Sequence, residues 1–319
     1  MNPSSDAGGE TPPIAAVSPA STAGLHPLTW TGAALAILCA VLWGGLAVAV
    51  RYTQTTIPPL ATAGLRFGIS TLLLLLTAWW QGVSLRLSRH QLAAVVPVGF
   101  LLFLQIGSFH YGMAFTNSAH GSVMIGSYPV FVALVAHFLL HGDRVSLGKL
   151  LGLMVAFAGL VSIVAGASQN SPSAKDAPTL FGDAVVLTSS LLIGLNTVMS
   201  KRGLTVVRVQ QLLFWSNLFA TGLFFTTSAL VEHHNWKFTA PAVWGLFYQS
   251  VVVAWLCFSI WTALLRQHRA SQVAVFGFAQ PLCGMGFGIW LRGDPLTASL
   301  AIGGAAVALG IILVTRAEG

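Results

Sequence analysis

Residues 129–166 read PVFVALVAHFLLHGDRVSLGKLLGLMVAFAGLVSIVAG, and this stretch of two apolar runs around a short polar loop decides the fold. The pattern returns at residues 281–315 as PLCGMGFGIWLRGDPLTASLAIGGAAVALGIILVT. Gly152 and Gly159 match Gly303 and Gly310 at a shift of 151, and the loop GDRVS at 142–146 matches GDPLT at 293–297. The matched positions are glycines, a proline and loop residues rather than leucines and valines, so they indicate an internal duplication.

The duplication extends toward the N-terminus. Gly32 matches Gly182 and Gly44 matches Gly194, both 150 residues apart. The two copies are therefore predicted to cover residues 32–166 and 180–315. Residues 1–31 are rich in Pro, Ser, Thr, Ala and Gly and contain no Lys or Arg, so they lack the basic start of a secretory signal. We expect this segment to be a disordered cytoplasmic tail.

The composition is that of a membrane protein. Of the 319 residues 55% are hydrophobic and 7% are charged, and the mean hydropathy is +0.79. A soluble domain carries about 25% charged residues, so the apolar surface here is expected to face lipid. We predict an all-α polytopic protein with ten transmembrane helices, at about 32–50, 59–80, 91–112, 119–140, 149–166, 180–200, 209–231, 241–265, 271–291 and 297–315.

Each predicted repeat contains five spans, which is an odd number. The second copy must then enter the membrane from the opposite side, and the two repeats are predicted to be inverted. Inverted repeats can exchange conformations and open a central site to each side of the membrane in turn. This symmetry favours a transporter.

The positive charges predict the orientation. If the N-terminus is cytoplasmic, ten basic residues flank the inner loops, whereas four lie outside, and Arg66 is within a span. We therefore predict a cell (inner) membrane location with both termini in the cytoplasm. The net charge of +7 does not form a basic face, so no nucleic-acid partner is expected. The inner residues are Arg86, Arg89, Arg144, Lys149, Lys201, Arg202, Arg208, Arg266, Arg269 and Arg316.

Several motifs resemble the EamA-type repeat of the drug/metabolite transporter superfamily. They are AVLWGG at 40–45, IPP at 57–59, LRF at 65–67, PVF at 129–131 and GDRVS at 142–146, followed by Gly152 and Gly159. The resemblance covers about residues 32–315. It implies ten helices, inverted repeats and secondary transport, often export of amino acids or related metabolites. Two departures are Pro295 in the position of Arg144 and Ser216 in the position of Arg66, so those arginines are not expected to act symmetrically.

Arg66 is the most informative side chain. It lies about seven residues into the second span, where an unpaired charge costs several kcal/mol. It is interpreted either as a contact for an anionic or carboxylate-bearing substrate, or as a structural arginine that binds helix-end carbonyls or extends to the interface.

The resemblance places the transport pocket between spans 1, 3, 4, 6, 8 and 9. Polar and aromatic residues in these spans are candidate substrate contacts, although amides within spans also bond neighbouring helices. If protons are coupled to transport, His110, His120 or His137 would carry them, and a packing role is the alternative for each. Pro129 and Pro281 occupy matched positions and are predicted to bend their helices. The candidate contacts besides Arg66 are Trp43, His110, Tyr111, Asn196 and Gln280.

No motif for a cofactor, metal or catalytic site is recognised. Residues 142–149 differ from a phosphate-binding loop in glycine spacing and in Leu150, which stands where Ser or Thr is required. Cys39, Cys257 and Cys283 lie in apolar segments and have no metal-ligand spacing. A secondary transporter of a small metabolite is the leading hypothesis, and a non-transporting sensor or assembly partner and an intramembrane enzyme are the alternatives. The substrate, the direction, the coupling ion and the oligomeric state stay open.

Overall fold

The computed structural model describes residues 28–113, 115, 124–140, 142–168, 179–232, 236–283 and 298–317. Within these ranges the regular structure is helical, as the sequence predicted. Helix α9 contains a π-helical stretch, Tyr248–Cys257, and α10 is followed by a 3-10 turn, Val275–Phe278. The helices are α1 Trp30–Gly44, α2 Leu46–Gln54, α3 Pro59–Trp80, α4 Arg89–Met113, α5 Tyr128–Leu139, α6 Leu147–Ser168, α7 Leu180–Gly203, α8 Val209–Val231, α9 Ala240–Gln267, α10 Ala270–Ala274 and α11 Ala298–Arg316.

The helices match the predicted spans in position and hydropathy. By length and composition α3, α4, α7, α8 and α9 can each cross a membrane. Shorter apolar helices occupy four further predicted spans, at Trp30–Gly44, Met124–Leu139, Leu147–Ser162 and Ala301–Arg316. The predicted span 271–291 is described only as far as residue 283. The chain is therefore a multi-pass membrane protein, as predicted.

The first predicted span, 32–50, is two helices rather than one. α1 ends at Gly44 and α2 begins at Leu46, with Gly45 between them. The Tyr248 hydroxyl donates to Leu42 O at 2.6 Å, and a Cβ on Gly45 would lie 2.6 Å from that hydroxyl oxygen. A side chain inserted into the helical hydrogen-bond ladder breaks the helix. The second repeat has Leu195 at the matching position, and α7 runs through it without interruption.

The inverted symmetry is clearest between α6 and α11. A Cβ on Gly152 would meet Gly310 O at 2.9 Å, and a Cβ on Gly159 would meet Gly303 O at 2.7 Å. Residue numbers rise along one helix as they fall along the other, so the pair is antiparallel. Each glycine thus faces the repeat equivalent of the other. Glycines allow backbones this close, as is common between helices in membranes.

The other helix pairs follow the same symmetry. In the antiparallel pair α4–α7, the Ser189 hydroxyl donates to Gln105 O at 2.7 Å. The repeat relates α4 to α9 and α7 to α1–α2, and α9 contacts α2 through Gln249 Nε2, which donates to Thr53 Oγ1 at 2.7 Å. α3 and α8 are repeat equivalents and pack against each other, with the rings of Phe67 and Phe224 stacked at 5.9 Å. The prediction of two inverted repeats is confirmed.

One end of the bundle collects most of the basic residues. We call it the basic end, and it is formed by the loop segments near 81–88, 140–146, 201–208 and 266–270. Hydrogen bonds join these segments: Gln211 Nε2 donates to Ser84 O at 3.0 Å, and Arg202 Nη2 donates to Leu139 O at 2.8 Å. The ten residues predicted to be cytoplasmic all belong to these segments or to the helix ends beside them.

A buried ion pair lies at the basic end, where it contributes to a contact between the two repeats. Lys149 Nζ lies 2.8 Å from Asp143 Oδ1, and both side chains are almost fully buried. The same carboxylate accepts from Ser271 N at 3.0 Å and from the Ser271 hydroxyl at 2.5 Å, at the start of α10. We call Asp143, Lys149 and Ser271 the latch, because together they fasten the α5–α6 loop of the first repeat to α10 of the second.

Candidate functional site

Helix α3 contains Arg66, the charged residue within a predicted span. The N-terminus of this helix is capped by the carboxylate of Glu232. Pro59 occupies the first turn, where its missing N–H costs nothing. The free N–H groups of Leu60 and Ala61 donate to Glu232 Oε1 and Oε2 at 2.7 and 3.0 Å. A carboxylate at a helix N-terminus also interacts favourably with the helix dipole. This cap sets the height of α3 and therefore the depth of Arg66, which lies two turns further along.

Arg66 is buried, and none of the described residues forms an ion pair with it. Its side chain is 6% exposed, so it does not extend to the membrane interface. Its Nε is buried with no hydrogen-bond partner, and among the described residues the guanidinium makes no hydrogen bond or ion pair. The structural alternative, in which Arg66 binds helix-end carbonyls, has no such contact to support it. What the structure offers instead is aromatic rings.

Two aromatic rings lie next to this guanidinium, and two further rings extend the same aromatic cluster. Its Cζ lies 5.0 Å from the ring centroid of Phe67 and 5.8 Å from that of Phe258. Trp43 packs edge-on against Phe258 at 6.1 Å and against Trp261 at 4.8 Å. We call Phe67, Phe258, Trp43 and Trp261 the aromatic wall. A desolvated cation over aromatic rings gains about 2 kcal/mol, which offsets only part of the cost of burying its charge.

His110 lies in the same region of the bundle. It belongs to α4, and its ring stands edge-on to that of Phe109 at 5.7 Å. Its Nδ1 is 2.8 Å from Ile106 O, so this nitrogen carries the proton and Nε2 is left to meet other groups. Of the other histidines considered for proton coupling, His137 accepts from Val145 N at 3.1 Å beside the basic end. His120 lies outside the described residues.

Asn196 and Gln280, two of the predicted contact residues, have no recorded contact with Arg66 or the aromatic wall. Asn196 Nδ2 donates to Val98 O at 3.1 Å and its Oδ1 accepts from the Ser200 hydroxyl at 3.1 Å, so its amide ties α7 to α4. Gln280 is half-buried in the helical turn 279–283, and none of the described residues hydrogen-bonds its side chain. The structure therefore joins Trp43 to Arg66 through the ring of Phe258, and it gives Asn196 an interhelical role.

Tyr111 is not part of this group. Its side chain is 58% exposed, and its ring packs edge-on against Phe115 at 5.2 Å and Phe181 at 6.3 Å. These rings form a separate aromatic cluster at the end of the bundle opposite to the basic end.

The two predicted bends coincide with irregular backbone. Pro129 lies in the first turn of α5, directly after a turn at Ser127. Pro281 follows the 3-10 turn, Val275–Phe278, and its ring removes the hydrogen bond that Gly277 O would accept. The Tyr128 ring lies against Gly277 so closely that a Cβ there would overlap its hydroxyl. The irregular backbone before Pro129 in the first repeat therefore lies against the 3-10 turn before Pro281 in the second.

Of the aromatic wall, sequence reasoning identified only Trp43 as a candidate contact. Phe258 and Trp261 follow Trp255 at intervals of three residues, a helical spacing that could have been read as one aromatic face. Glu232 lies at the end of an apolar run in the sequence, and its contact with α3 has no local sequence signal. Within the described ranges no group of three or more His, Cys, Asp or Glu side chains could hold a metal ion.

Comparison with known proteins agrees with this architecture. The profile of the EamA-like transporter family matches residues 30–165 and again 180–316. The uncharacterized transporter YoaV of Bacillus subtilis is 27% identical over 278 residues, covering 86% of this chain and 93% of that protein. A probable amino-acid metabolite efflux pump of Escherichia coli is 22% identical and covers 88% and 93%. One solved crystal structure shares the fold, with a TM-score of 0.78 and 18% identity over 90% of this chain and 97% of the other.

Proposed function

The chain belongs to the EamA-like transporter family, and from this we propose that it is a secondary transporter that exports amino acids or related metabolites by alternating access. Membrane transport itself follows from the family. The direction and the substrate class are proposed from the names of relatives such as the probable amino-acid metabolite efflux pump of Escherichia coli.

The observation that carries the proposal is the buried guanidinium of Arg66, which has no ion-pair or hydrogen-bond partner in the described part of the chain. A cation held in a low-dielectric interior without a counter-charge is costly, and such residues in membrane spans mark substrate or ion pathways. A substrate carboxylate would supply the missing charge through two parallel N–H···O bonds.

The aromatic wall supports alternating access because both repeats build it. Trp43 and Phe67 come from the first repeat, and Phe258 and Trp261 come from the second. A relative rotation of the repeats would change the spacing of these rings around Arg66. The broken helices at Gly45 and Gly277 are of the kind that line substrate sites in transporters with inverted repeats.

We propose that the protein lies in the cell (inner) membrane with the basic end in the cytoplasm. Loops on the cytoplasmic side of bacterial membrane proteins carry an excess of Lys and Arg. The basic end has ten such residues, and Lys237 is the basic residue with a described side chain at the opposite end.

Transport is tested with purified protein in liposomes, by counterflow of labelled amino acids and related carboxylates. We expect flux of at least one carboxylate-bearing metabolite. Arg66→Gln should reduce this flux about 10-fold to 100-fold, since a hydrogen bond to a charged group contributes about 1.5–3 kcal/mol.

Arg89→Gln is the matched control, because it removes an exposed arginine at the basic end and should leave flux near that of the unmodified protein. The absence of flux for every metabolite in a broad panel would contradict the proposed function.

A further inference from the structure

We propose that the Arg66 site selects singly charged organic anions with a flat apolar body over zwitterionic amino acids. This inference rests on the proposed function and narrows its substrate class. Three features support it: the charges near Arg66, the buried hydrogen-bond acceptors that have no partner, and the geometry of the aromatic wall.

The carboxylates of the described residues are engaged or distant. Asp143 is held by the latch at the basic end, and Asp183 lies in the first turn of α7 at the opposite end. Glu232 accepts from Leu60 N, Ala61 N and the Ser228 hydroxyl, the last at 2.7 Å. Its carboxylate lies at the start of α3, about 8 Å along the helix axis from the level of Arg66 at 1.5 Å per residue.

The sequence predicts no further acidic residue within an apolar span. The five other acidic residues lie in the terminal segments or between the apolar spans, at Asp6, Glu10, Asp176, Asp294 and Glu318. A zwitterion would therefore bring an ammonium group next to a guanidinium without a carboxylate to receive it. Like charges in a low-dielectric site repel strongly, whereas a single carboxylate neutralises Arg66.

Two neutral amide oxygens are buried without a partner, and one of them belongs to a side chain that contacts α3. Asn217 donates its Nδ2 to the Ser70 hydroxyl at 3.2 Å, one turn along α3 from Arg66, and its buried Oδ1 has no partner. Gln105 Oε1 is likewise buried without a partner on α4. A neutral amide oxygen can accept a hydrogen bond from a hydroxyl or an amide N–H of the ligand. It offsets only part of the free energy needed to desolvate an ammonium ion.

The aromatic wall favours a ligand whose apolar part is planar. Phe258 and Trp43 stand edge to face at 86°. Under the proposal, a flat group stacks on these rings when the repeats move apart, because aromatic rings favour stacked and edge-to-face partners. A carboxylate on Arg66 with an aromatic or planar group against these rings satisfies both features. N-acylated aromatic amino acids and aryl hydroxy acids have this chemistry.

The test uses four probes of similar size: L-phenylalanine, N-acetyl-L-phenylalanine, 3-phenyllactate and N-acetyl-L-phenylalanine amide. Binding to the full chain is measured by thermal shift and transport by counterflow in liposomes at neutral pH. The two monoanions should bind at least about tenfold more tightly than phenylalanine, a difference of about 1.4 kcal/mol. The amide, which lacks the carboxylate, should not bind.

Two variants connect the preference to Arg66. Arg66→Gln should abolish the preference for monoanions, and Arg66→Lys should retain it with weaker affinity, because the positive charge remains. The melting temperature without ligand checks the folding of each variant, and Arg66→Lys keeps the test valid if Arg66→Gln does not fold.

The outcomes separate this inference from the proposed function. If phenylalanine or another zwitterion is bound and transported as well as the monoanions, the inference is wrong and the transporter assignment stands. If the broader panel contains transported solutes but only zwitterions or cations among them, the inference is also overturned. If no solute of any class is bound or moved, the proposed function itself fails.

Discussion

At the scale of single residues, Asp143 and Lys149 are opposite charges buried together in the latch. Breaking such a pair leaves one charge uncompensated and costs about 3–5 kcal/mol. Asp143→Asn should therefore lower the melting temperature markedly, because Lys149 would be buried beside a neutral amide and Ser271 would lose a charged acceptor. The measurement is thermal unfolding of the purified protein in detergent.

The double variant Asp143→Asn, Lys149→Met is the control for this prediction. It removes both charges, and a buried ion pair replaced by apolar or neutral groups is often close to neutral in stability. We expect it to recover most of the loss. A double variant that is as unstable as the single one would mean that the pair has another role than mutual compensation.

Single residues also show where sequence reasoning works. Arg66 could be identified because a charge inside an apolar run is conspicuous, and its burial agrees with that interpretation. Tyr111 and His110 were both candidate contacts because the resemblance places the third span at the pocket. Successive residues of a helix point about 100° apart, since 3.6 residues complete a turn, so Tyr111 faces outward when His110 faces the bundle interior.

At the scale of helices, the close packing of α6 and α11 depends on glycine. A Cβ at position 159 would stand 2.7 Å from Gly303 O, a distance that backbone atoms cannot accommodate without separating the helices. Gly159→Ala should destabilise the protein by about 1–3 kcal/mol, as overpacking does elsewhere. The loss would be measured as a lower melting temperature.

Gly222→Ala is the matched control for Gly159→Ala. Gly222 also lies within a membrane helix, but a Cβ there has no atom within 4 Å. Alanine is the better helix former, so this variant should equal or slightly exceed the unmodified protein in stability. Equal losses for both substitutions would show that helix propensity, not the contact between α6 and α11, governs the effect.

Helix positions were largely predictable, and the exceptions have a tertiary cause. Runs of apolar residues between charges and prolines fix a span to within a few residues, as at α3 and α8. The break between α1 and α2 was not predictable, because a Gly-Gly pair in an apolar run also fits continuous helix packing. The break depends on Tyr248, which is about 200 residues away in sequence and reaches Leu42 O only in the folded bundle.

At the scale of the whole molecule, the two repeats meet along antiparallel pairs of helices, and the latch joins them at the basic end. Alternating access requires that contacts at each end open and close in turn. The latch spans the two repeats, through Asp143 of the first and Ser271 of the second, so it must break whenever the basic end opens. The candidate site itself was only partly predictable, because the rings around Arg66 come from helices on both sides of the repeat boundary.

The inverted arrangement predicts which loops share a side of the membrane. In a chain freed of its three cysteines, single cysteines at Ser88 and Thr205 should behave alike, because both positions are exposed at the basic end. An impermeant maleimide added to intact cells should spare both and label a cysteine at Thr55, an exposed position at the opposite end. Ser88 follows the second span of the first repeat, whereas Thr205 follows the first span of the second repeat. They can share a side of the membrane only if the two repeats enter it from opposite sides. Labelling of Ser88 and Thr205 on opposite sides would mean that the second repeat is not inverted, and the symmetric exchange on which alternating access depends would then be impossible.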